Sequence, residues 1–366
     1  MPKLNAPFPY FGGKKRWNDT VWERFGEAHT YIEPFAGSLA VLLGNPKPAK
    51  REIVCDTHSA VCNFWRAVKA DPEQVASYAT NPTIHQDLTA RHRWLIQYFT
   101  ENHAKFETDP DYYDCKAAGW WCWGMSNWIG GNFCDYGGSS QHNLIPFVGN
   151  HGQGQGLNAQ RTHKDKIPYV KDGGGRGVNA QRNVRDQRPS VQLSGAGRGV
   201  NAQRQSDQIP YVRSSGGGRG VNSQTTHTND HYEFVLNTMQ QLAERLFKVI
   251  VLNRSWESAL TNSMIGTQHR DKVCIFVDPP YILDQRTASL YHTDASKLSN
   301  TIAHESYQWC VKHGDQFRIA YASHEGDFDV PPGWTVETQS MTGKNLDQIM
   351  FSPTCIGKDP GTLFDH

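Results

Sequence analysis

The sequence predicts an α/β fold built on a largely parallel sheet. Short apolar runs rich in β-branched and aromatic residues alternate with longer stretches of helical periodicity, as strands alternate with helices in such folds. The clearest run, Val273–Val277, is closed by two prolines, which cannot donate a backbone hydrogen bond. Three further strand-like runs, at 317–322, 334–338 and 347–351, favour an antiparallel end to the sheet.

The remaining predicted elements follow the chain. Strands are predicted at 31–35, 51–56 and 248–253, and helices at 59–70, 71–102 with a break at Pro82, 112–133, 230–247 and 298–312. The short helix after Gly37 is expected to have Ser38 as its N-cap, because serine accepts hydrogen bonds from the first free amides of a helix. The tryptophans of 112–133 indicate core packing rather than a ligand platform.

Residues suited to chemistry are grouped in D-P-P-Y at 278–281. Proline fixes its own φ and keeps the preceding residue extended, so Asp278 and Pro279 are expected to present a carboxylate and a carbonyl. They would do so at the carboxyl end of a strand, where open α/β sheets bind ligands. Two such acceptors can take both hydrogens of an exocyclic amine and draw its nitrogen toward tetrahedral geometry.

Tyr281 completes this group, because its ring could stack on a base that has left a duplex. The tetrapeptide therefore favours methylation of a base amine. A strand that simply ends in a turn, with Tyr281 as ordinary packing, is the alternative interpretation.

Two stretches nearer the amino terminus suit a second ligand. In P-F-P-Y-F-G-G-K-K, residues 7–15, two glycines allow close backbone approach and Lys14 supplies a cation. In the stretch 30–43, a turn around Gly37 leads into a helix, whose first amides can touch a ligand. Asp56 ends the next strand, where an acid commonly binds ribose hydroxyls, although it could instead cap the helix at 59–70. The dinucleotide fingerprint G-x-G-x-x-G is absent.

The 366-residue chain has a net charge of +1, but residues 145–224 hold 12 Lys/Arg against 4 Asp/Glu. Four units repeat there, in which motifs such as I-P-Y-V and G-R-G-V-N recur at spacings of 21 or 22 residues. Each unit has too few apolar residues for a core of its own. Arg176, Arg198 and Arg219 occupy equivalent places beside glycine and predict contact with DNA. A duplicated linker is the alternative.

The eight cysteines form no C-x-x-C pair, and several lie in apolar runs. We therefore expect buried free thiols rather than zinc ligands or disulfides. Neither a signal peptide nor a long apolar stretch occurs, so a soluble cytoplasmic protein with no membrane partner is expected.

Together these stretches resemble the Dam-like DNA adenine-N6 methyltransferases, and more closely their phage and bacterial branch with glycine-rich G-R-G-V repeats. The resemblance runs from Pro7 to about Cys355 and keeps the family order: P-F-P-Y-F-G-G-K, E-P-F-A-G, an acid after the second strand, a recognition insert, then D-P-P-Y. It implies a Rossmann-like core at 1–112 and 227–366, split by a target-recognition insert at 113–226.

The resemblance also implies an activity, a cofactor and a setting. The activity is methyl transfer from S-adenosylmethionine to adenine N6 in DNA after base flipping, with no metal required. The setting is a bacterial or phage-infected cell, with or without a cognate restriction enzyme. Methylation of cytosine N4 or of adenine in RNA would use the same acceptor pair. An inactive DNA-binding relative is the alternative outside enzymes.

The resemblance finally implies which residues form the site. The target adenine would be held by Asp278, Pro279, Pro280 and Tyr281. The cofactor would be held by Tyr10, Lys14, Glu33, Pro34, Phe35, Ala36, Gly37, Ser38, Asp56, Trp256 and Asp278. Within this second set, the turn from Glu33 to Gly37 would wrap the methionine end of the cofactor. Asp56 would bind its ribose, and Trp256 would stack on its adenine.

Overall fold

A computed structural model describes residues 4–10, 13–128, 133–134, 228–282, 293–340 and 346–356. Their strands are β1 (Thr30–Glu33), β2 (Arg51–Asp56), β3 (Val249–Asn253), β4 (Val273–Val277), β5 (Arg318–His324), β6 (Thr335–Ser340) and β7 (Leu346–Phe351). All seven belong to one sheet.

The helices flank this sheet. They are α1 (Asn18–Phe25), α2 (Ala40–Leu43), α3 (Ser59–Ala70), α4 (Pro72–Ala79), α5 (His85–Thr108), α6 (Cys115–Asn127), α7 (Thr228–Leu246), α8 (Asn262–Ile265) and α9 (Thr293–His313). Short 3₁₀ turns occur at Lys15–Trp17, Trp256–Leu260 and Arg270–Lys272.

The sheet has the strand order β3-β2-β1-β4-β5-β7-β6. The first five strands in this order pair in parallel, whereas β7 pairs antiparallel with both β5 and β6. The predicted parallel sheet with an antiparallel end is therefore confirmed. Because β1 and β4 are neighbours at the point where the strand order reverses, their carboxyl ends flank a crevice suited to a ligand.

Local sequence signals explain several element boundaries. β2 covers 51–56 and β4 covers 273–277, as their apolar runs predict. Pro72 begins α4, where Asp71 accepts a hydrogen bond of 3.0 Å from the Gln74 amide. Proline at this position loses no hydrogen bond because the first helical amide has no partner within the helix.

The predicted cap at Ser38 is wrong, and the alternative interpretation of Asp56 as the cap of α3 does not hold either. α2 begins at Ala40 and its N-cap is Leu39, which lies in the left-handed region at φ 53° and provides no side-chain cap. The tight turn displaces the helix start beyond Ser38. α3 is preceded by His58 as its N-cap. Asp56 lies too far upstream, and its carboxylate instead binds amides of the connecting turns.

The core lies on both faces of the sheet. One cluster joins α1, α3 and α6, and in it Trp121 packs edge-on against Phe8 with ring centroids 4.7 Å apart. Trp121 and Trp123 are almost fully buried, which confirms the core interpretation of the tryptophan-rich helix. The second cluster lies on the opposite face and includes Trp256 and Phe317 together with apolar residues of β4 and β5.

The chain returns to the sheet through α7 after the predicted insert. Arg245 on α7 forms a buried, two-pronged ion pair with Glu52 on β2, at 2.5 and 2.8 Å. A paired guanidinium and carboxylate satisfy each other's hydrogen bonds in a site that excludes water. The repeats at 145–224 lie outside the described residues, and the insert boundaries stay predictions.

The cysteines are free thiols, and seven of the eight are buried. Burial accordingly raises the pKa of the Cys55 and Cys274 thiols to about 12. Among the described residues, no three His, Cys, Asp or Glu side chains are grouped as a metal site. None of the described helices is both long enough and apolar enough to cross a membrane.

Candidate functional site at the carboxyl edge of the sheet

Four neighbouring parallel strands end in polar side chains at the same edge of the sheet. Glu33 ends β1, Asp56 ends β2 and His324 ends β5, while Asp278 directly follows β4. Since parallel strands place their carboxyl ends together, these four side chains line one crevice. The structure thus brings together both predicted halves of the site, although 222 residues separate Asp56 from Asp278 in the sequence.

The turn after β1 requires a glycine at position 37. Gly37 has a φ of +44°, in the left-handed region. A Cβ atom there would lie only 2.8 Å from Cε1 of Tyr10, so the tyrosine ring rests directly on the glycine backbone. The indole of Trp65 donates a 3.0 Å hydrogen bond to the Gly37 carbonyl and holds the turn from the core side. Tyr10 and the Gly37 turn therefore form one wall of the crevice.

Asp56 links the ends of β1 and β2. Its Oδ2 accepts a 2.9 Å hydrogen bond from the Gly37 amide, and its Oδ1 accepts one of 2.8 Å from the His58 amide. The side chain is half-buried. Each carboxylate oxygen can accept more than one hydrogen bond, so both retain acceptor capacity for a hydroxyl group.

Behind Asp56, the end of β3 is tied to the same place. The amide nitrogen of the buried Asn253 side chain donates a 2.9 Å hydrogen bond to the Asp56 carbonyl. Asn253 Oδ1 in turn accepts 3.0 Å from the Ser59 hydroxyl. This network fixes the backbone that presents Asp56.

Glu33 is a buried acid at the base of the crevice. Its side chain accepts a 3.1 Å hydrogen bond from the Tyr31 hydroxyl. Burial raises the pKa of the Glu33 carboxyl well above its ordinary value, and the charge of Asp278 acts in the same direction. The Tyr31 hydrogen bond offsets only part of this rise. A cationic ligand group would therefore be strongly favoured beside Glu33, because it would compensate the buried negative charge.

Asp278 pairs with the lysine of the amino-terminal motif. Lys14 Nζ lies 3.1 Å from Asp278 Oδ1, with the lysine side chain 2% exposed and the aspartate 22% exposed. Burial raises the pKa of the Asp278 carboxyl, and Lys14 counteracts this rise. Lys14 was expected to lie against the cofactor; the structure joins it to the D-P-P-Y segment, where it also lies 4.8 Å from the centroid of the Tyr281 ring.

The other predicted site residues are distributed around this crevice. Pro34, Ala36 and Pro279 are buried, Phe35 and Ser38 are half-buried, and Pro280 is exposed. Trp256 is also buried, and its ring stacks on that of Phe35 with centroids 6.3 Å apart. Arg176, Arg198 and Arg219 lie outside the described residues.

Sequence reasoning missed two residues of this edge, His324 and Asp347. His324 ends β5, and its ring contacts that of Tyr281 edge-to-face with centroids 4.3 Å apart. Asp347 lies opposite His324 on β7. The sequence did contain a signal for His324, which is the polar end of an apolar strand. The same signal identified Asp56 and Asp278. The sequence contained no such signal for Asp347, because the position of this residue at the edge depends on the pairing of β7 with β5.

The sheet order, the glycine turn after β1, the acid ending β2 and the D-P-P-Y group after β4 together define the class of protein. The chain has a Rossmann-like methyltransferase fold with the antiparallel seventh strand of that class.

The comparison with protein families identifies the particular group. The model of the D12 class N6 adenine-specific DNA methyltransferases matches residues 10–119. This match agrees with the resemblance to the DNA adenine-N6 methyltransferases and supports DNA adenine-N6 methylation as the activity, and it does not test the narrower resemblance to the branch with glycine-rich repeats. It covers the first motifs, the Gly37 turn and Asp56, and it does not extend to the repeats or to D-P-P-Y. No curated protein matches the chain.

Proposed function

We propose that this enzyme uses S-adenosylmethionine, flips its target adenine out of DNA and binds it against the end of β4. The observation that carries the proposal is the group at that strand end. There the Asp278 carboxylate, the Pro279 carbonyl and the Tyr281 ring follow one another beside the Gly37 turn. A base amine has two hydrogens, and this group offers two acceptors and an aromatic face.

The crevice fits the proposed cofactor at three positions. The bare backbone of Gly37 lets the ring of Tyr10 rest on the turn, since any side chain there would collide with Tyr10, and the two together form a wall for the cofactor. The Glu33 carboxyl suits the ammonium of a methionine moiety, because a buried acid gains a partner. Asp56 retains acceptor capacity for ribose hydroxyls. When bound, S-adenosylmethionine supplies a methyl group on a sulfonium, which is a good leaving group.

Asp278 acts on the acceptor nitrogen. The amine of adenine is a weak nucleophile because its lone pair is delocalised into the ring. Hydrogen bonds to the Asp278 carboxylate and the Pro279 carbonyl localise that pair and fix its direction. N6 would use this lone pair to bond the donor's methyl group and would become positively charged, while the electrons of the broken C–S bond would leave with the donor. The Asp278 carboxylate stabilises this charge and receives the proton that N6 then releases.

Lys14 sets the charge state that this role requires. An ionised Asp278 can accept hydrogen bonds through both oxygens and can take the proton of the amine, and burial works against ionisation. The ammonium of Lys14, 3.1 Å away, counteracts that effect. The pKa of Asp278 still stays above its ordinary value, which makes the carboxylate a better proton acceptor than a solvent-exposed aspartate.

The decisive test is Asp278→Ala in the full-length enzyme. We expect methyl transfer from a tritiated donor to DNA to fall by ~10²–10³ or more, the usual cost of losing a preorganised transition-state contact. Cofactor binding, followed by calorimetry, should persist. Asp271→Ala is the matched control, since Asp271 is an exposed aspartate just before β4. Near-normal turnover by the Asp278 variant would refute the assignment.

A further inference from the structure

A histidine and an aspartate that the proposed reaction does not use lie beside the D-P-P-Y segment. The antiparallel register of β5 and β7 pairs the Cα atoms of His324 and Asp347. Nδ1 of His324 lies 3.4 Å from Oδ1 of Asp347. Residues directly opposite each other on antiparallel strands have interacting side chains, so the sheet itself brings this imidazole and carboxylate together.

Asp347 is both buried and charged. Its side chain is 4% exposed. Burial acts to raise the pKa of the Asp347 carboxyl, but its contact with His324 and the nearby charges of Lys14 and Arg16 outweigh burial and lower that pKa. The carboxylate is therefore ionised at neutral pH. A buried charge of this kind is retained where a partner compensates it, and His324 is the partner on the neighbouring strand.

The backbone of His324 is fixed on both sides. Its amide donates a 3.1 Å hydrogen bond to Oδ2 of Asp327, and its carbonyl accepts one of 3.1 Å from the side chain of Gln348. With the backbone bonded and the ring facing Asp347, the imidazole has little freedom to move. His324 thus provides a rigid surface at the carboxyl end of β5.

That rigid surface touches Tyr281. The two rings meet at an interplanar angle of 73° with centroids 4.3 Å apart, an edge-to-face contact. Tyr281 itself follows two prolines and belongs to no helix or strand. Its ring direction therefore depends on the side chains packed around it, among them His324 and the ammonium of Lys14, which lies 4.8 Å from the ring centroid.

We infer that His324, held by Asp347, is a positioning residue that fixes the ring plane of Tyr281 for stacking on the target adenine. The inference rests on the proposed function, because it assigns a purpose to the orientation of Tyr281. His324 acts through Tyr281 and does not itself contact the base. Asp347 acts one step further away by holding the imidazole.

Two single variants and their combination test this route. His324→Ala, Tyr281→Ala and the double variant are assayed as full-length enzymes on genomic DNA from a methylation-deficient bacterium, with a tritiated methyl donor. Removing an edge-to-face contact should lower the rate by roughly three- to tenfold. Since His324 acts through Tyr281, its removal should cost nothing further once Tyr281 is alanine. KM for the methyl donor should stay unchanged.

Three other variants separate positioning from general damage. His324→Phe keeps a ring against Tyr281 and should recover most of the lost rate. Asp347→Asn keeps the shape of the side chain but not its charge; it should reproduce the loss in weaker form, and it serves as the test if His324→Ala fails to fold. His269→Ala removes an exposed histidine at the opposite edge of the sheet and should leave the rate unchanged.

The outcomes distinguish the inference from the proposed function. Independent, additive losses from His324→Ala and Tyr281→Ala would overturn the inference while leaving the role of Tyr281 intact. An unchanged rate in His324→Ala, or a KM effect confined to the methyl donor, would also overturn it. An unchanged rate in Tyr281→Ala would remove the stacking role from the proposed function and the inference with it. Asp278→Ala tests the proposed acceptor separately.

Discussion

At the carboxyl edge of the sheet, Glu33 is buried and Asp278 is mostly shielded, whereas at the amino edge Lys50, His269 and Lys272 extend into water. The same parallel strands present both edges. At the carboxyl edge the pKa of each of these two acids is raised, chiefly by burial. The two edges differ in how far their charged groups are shielded from water. The charged groups of the carboxyl edge lie in a pocket, and those of the amino edge are solvated.

The amino edge contains its own cluster of like charges. The rings of His29 and His269 lie with centroids 4.4 Å apart. Burial lowers the pKa of His29, and the positive charges of His269, Lys50 and Lys272 lower it further. None of the groups that shift the pKa of His29 is an acid, and solvent screening keeps the cost of these like charges small. The site that we propose therefore lies at the edge where burial shifts the pKa values of the acids.

Removing the cation of the carboxyl edge should have the largest effect. Lys14→Met leaves the burial of Asp278 uncompensated, so the pKa of Asp278 should rise and the acid limb of the pH–rate profile should move to higher pH. At neutral pH we expect a loss of activity on the order of 10²-fold, partly restored by raising the pH. Lys15→Met, at an adjacent exposed residue, is the control. An acid limb that stays in place would show that Lys14 does not control Asp278.

Replacing Asp56, the acid that ends β2, should have the next largest effect. Asp56→Ala is expected to weaken S-adenosylmethionine binding by roughly 1.5–3 kcal/mol, the value of a hydrogen bond to a charged group. The melting temperature should also fall, because Gly37 and His58 lose their amide partner. Asp71→Ala, which removes the cap of α4, should lower the melting temperature alone. Calorimetric titration of both variants separates the two effects, and equal affinities would leave Asp56 a purely structural residue.

The basic repeats at 145–224 carry most of the positive charge that we expect to bind DNA. Their contribution to DNA affinity should therefore depend on the salt concentration. Replacing Arg176, Arg198 and Arg219 by alanine should lower the slope of log affinity against log salt by roughly two to three if all three bind phosphate. If they contact base edges, discrimination between sequences should relax instead. Cofactor binding should not change.

The matched control for that variant is the triple replacement of Arg161, Arg182 and Arg204 by alanine. It removes the same charge from the repeat region, at the arginine that ends N-A-Q-R in the first three units. Equal slopes for the two triple variants would indicate bulk charge rather than specific arginines. A test variant with the affinity, salt slope and sequence preference of the parent would leave the repeats as a spacer.

The smallest effect belongs to the amino edge. Lys272→Ala removes one of the positive charges that lower the pKa of His29, so this pKa should rise toward its ordinary value. Titration of the His29 ring protons by NMR measures the change. Lys248→Ala, at another exposed lysine before β3, should leave the titration unaltered. A change in methylation rate in the Lys272 variant would contradict the proposal that only the carboxyl edge takes part in the reaction.

The sequence was most informative where local preference decides the structure. The apolar run of β4 and the proline that begins α4 give the boundaries directly, because strand propensity and the missing amide of proline act within a few residues. The turn after β1 was less accessible. Ser38 has the right chemistry for a cap, but the left-handed conformation of Leu39 moves the helix start, and this follows from packing of the whole turn.

Contacts between distant segments could not be read from the sequence. The ion pair of Lys14 and Asp278 joins residues 264 positions apart, and the pairing of His324 with Asp347 depends on the antiparallel register of β7. Both follow from strand order, which no local pattern encodes. The predicted D-P-P-Y group was therefore located without its cation or its histidine.

Burial raises the pKa of the Glu33 carboxyl well above its ordinary value, so folding favours the protonated form of this group. Its pKa in the folded chain lies above the unfolded value, so its contribution to stability is complete below the unfolded pKa and is lost as pH rises through the folded pKa. An ammonium bound beside Glu33 would favour the ionised form and release that proton to the solvent. Binding would then strengthen as pH rises through the same interval. Its measured heat would also change with the ionisation enthalpy of the buffer.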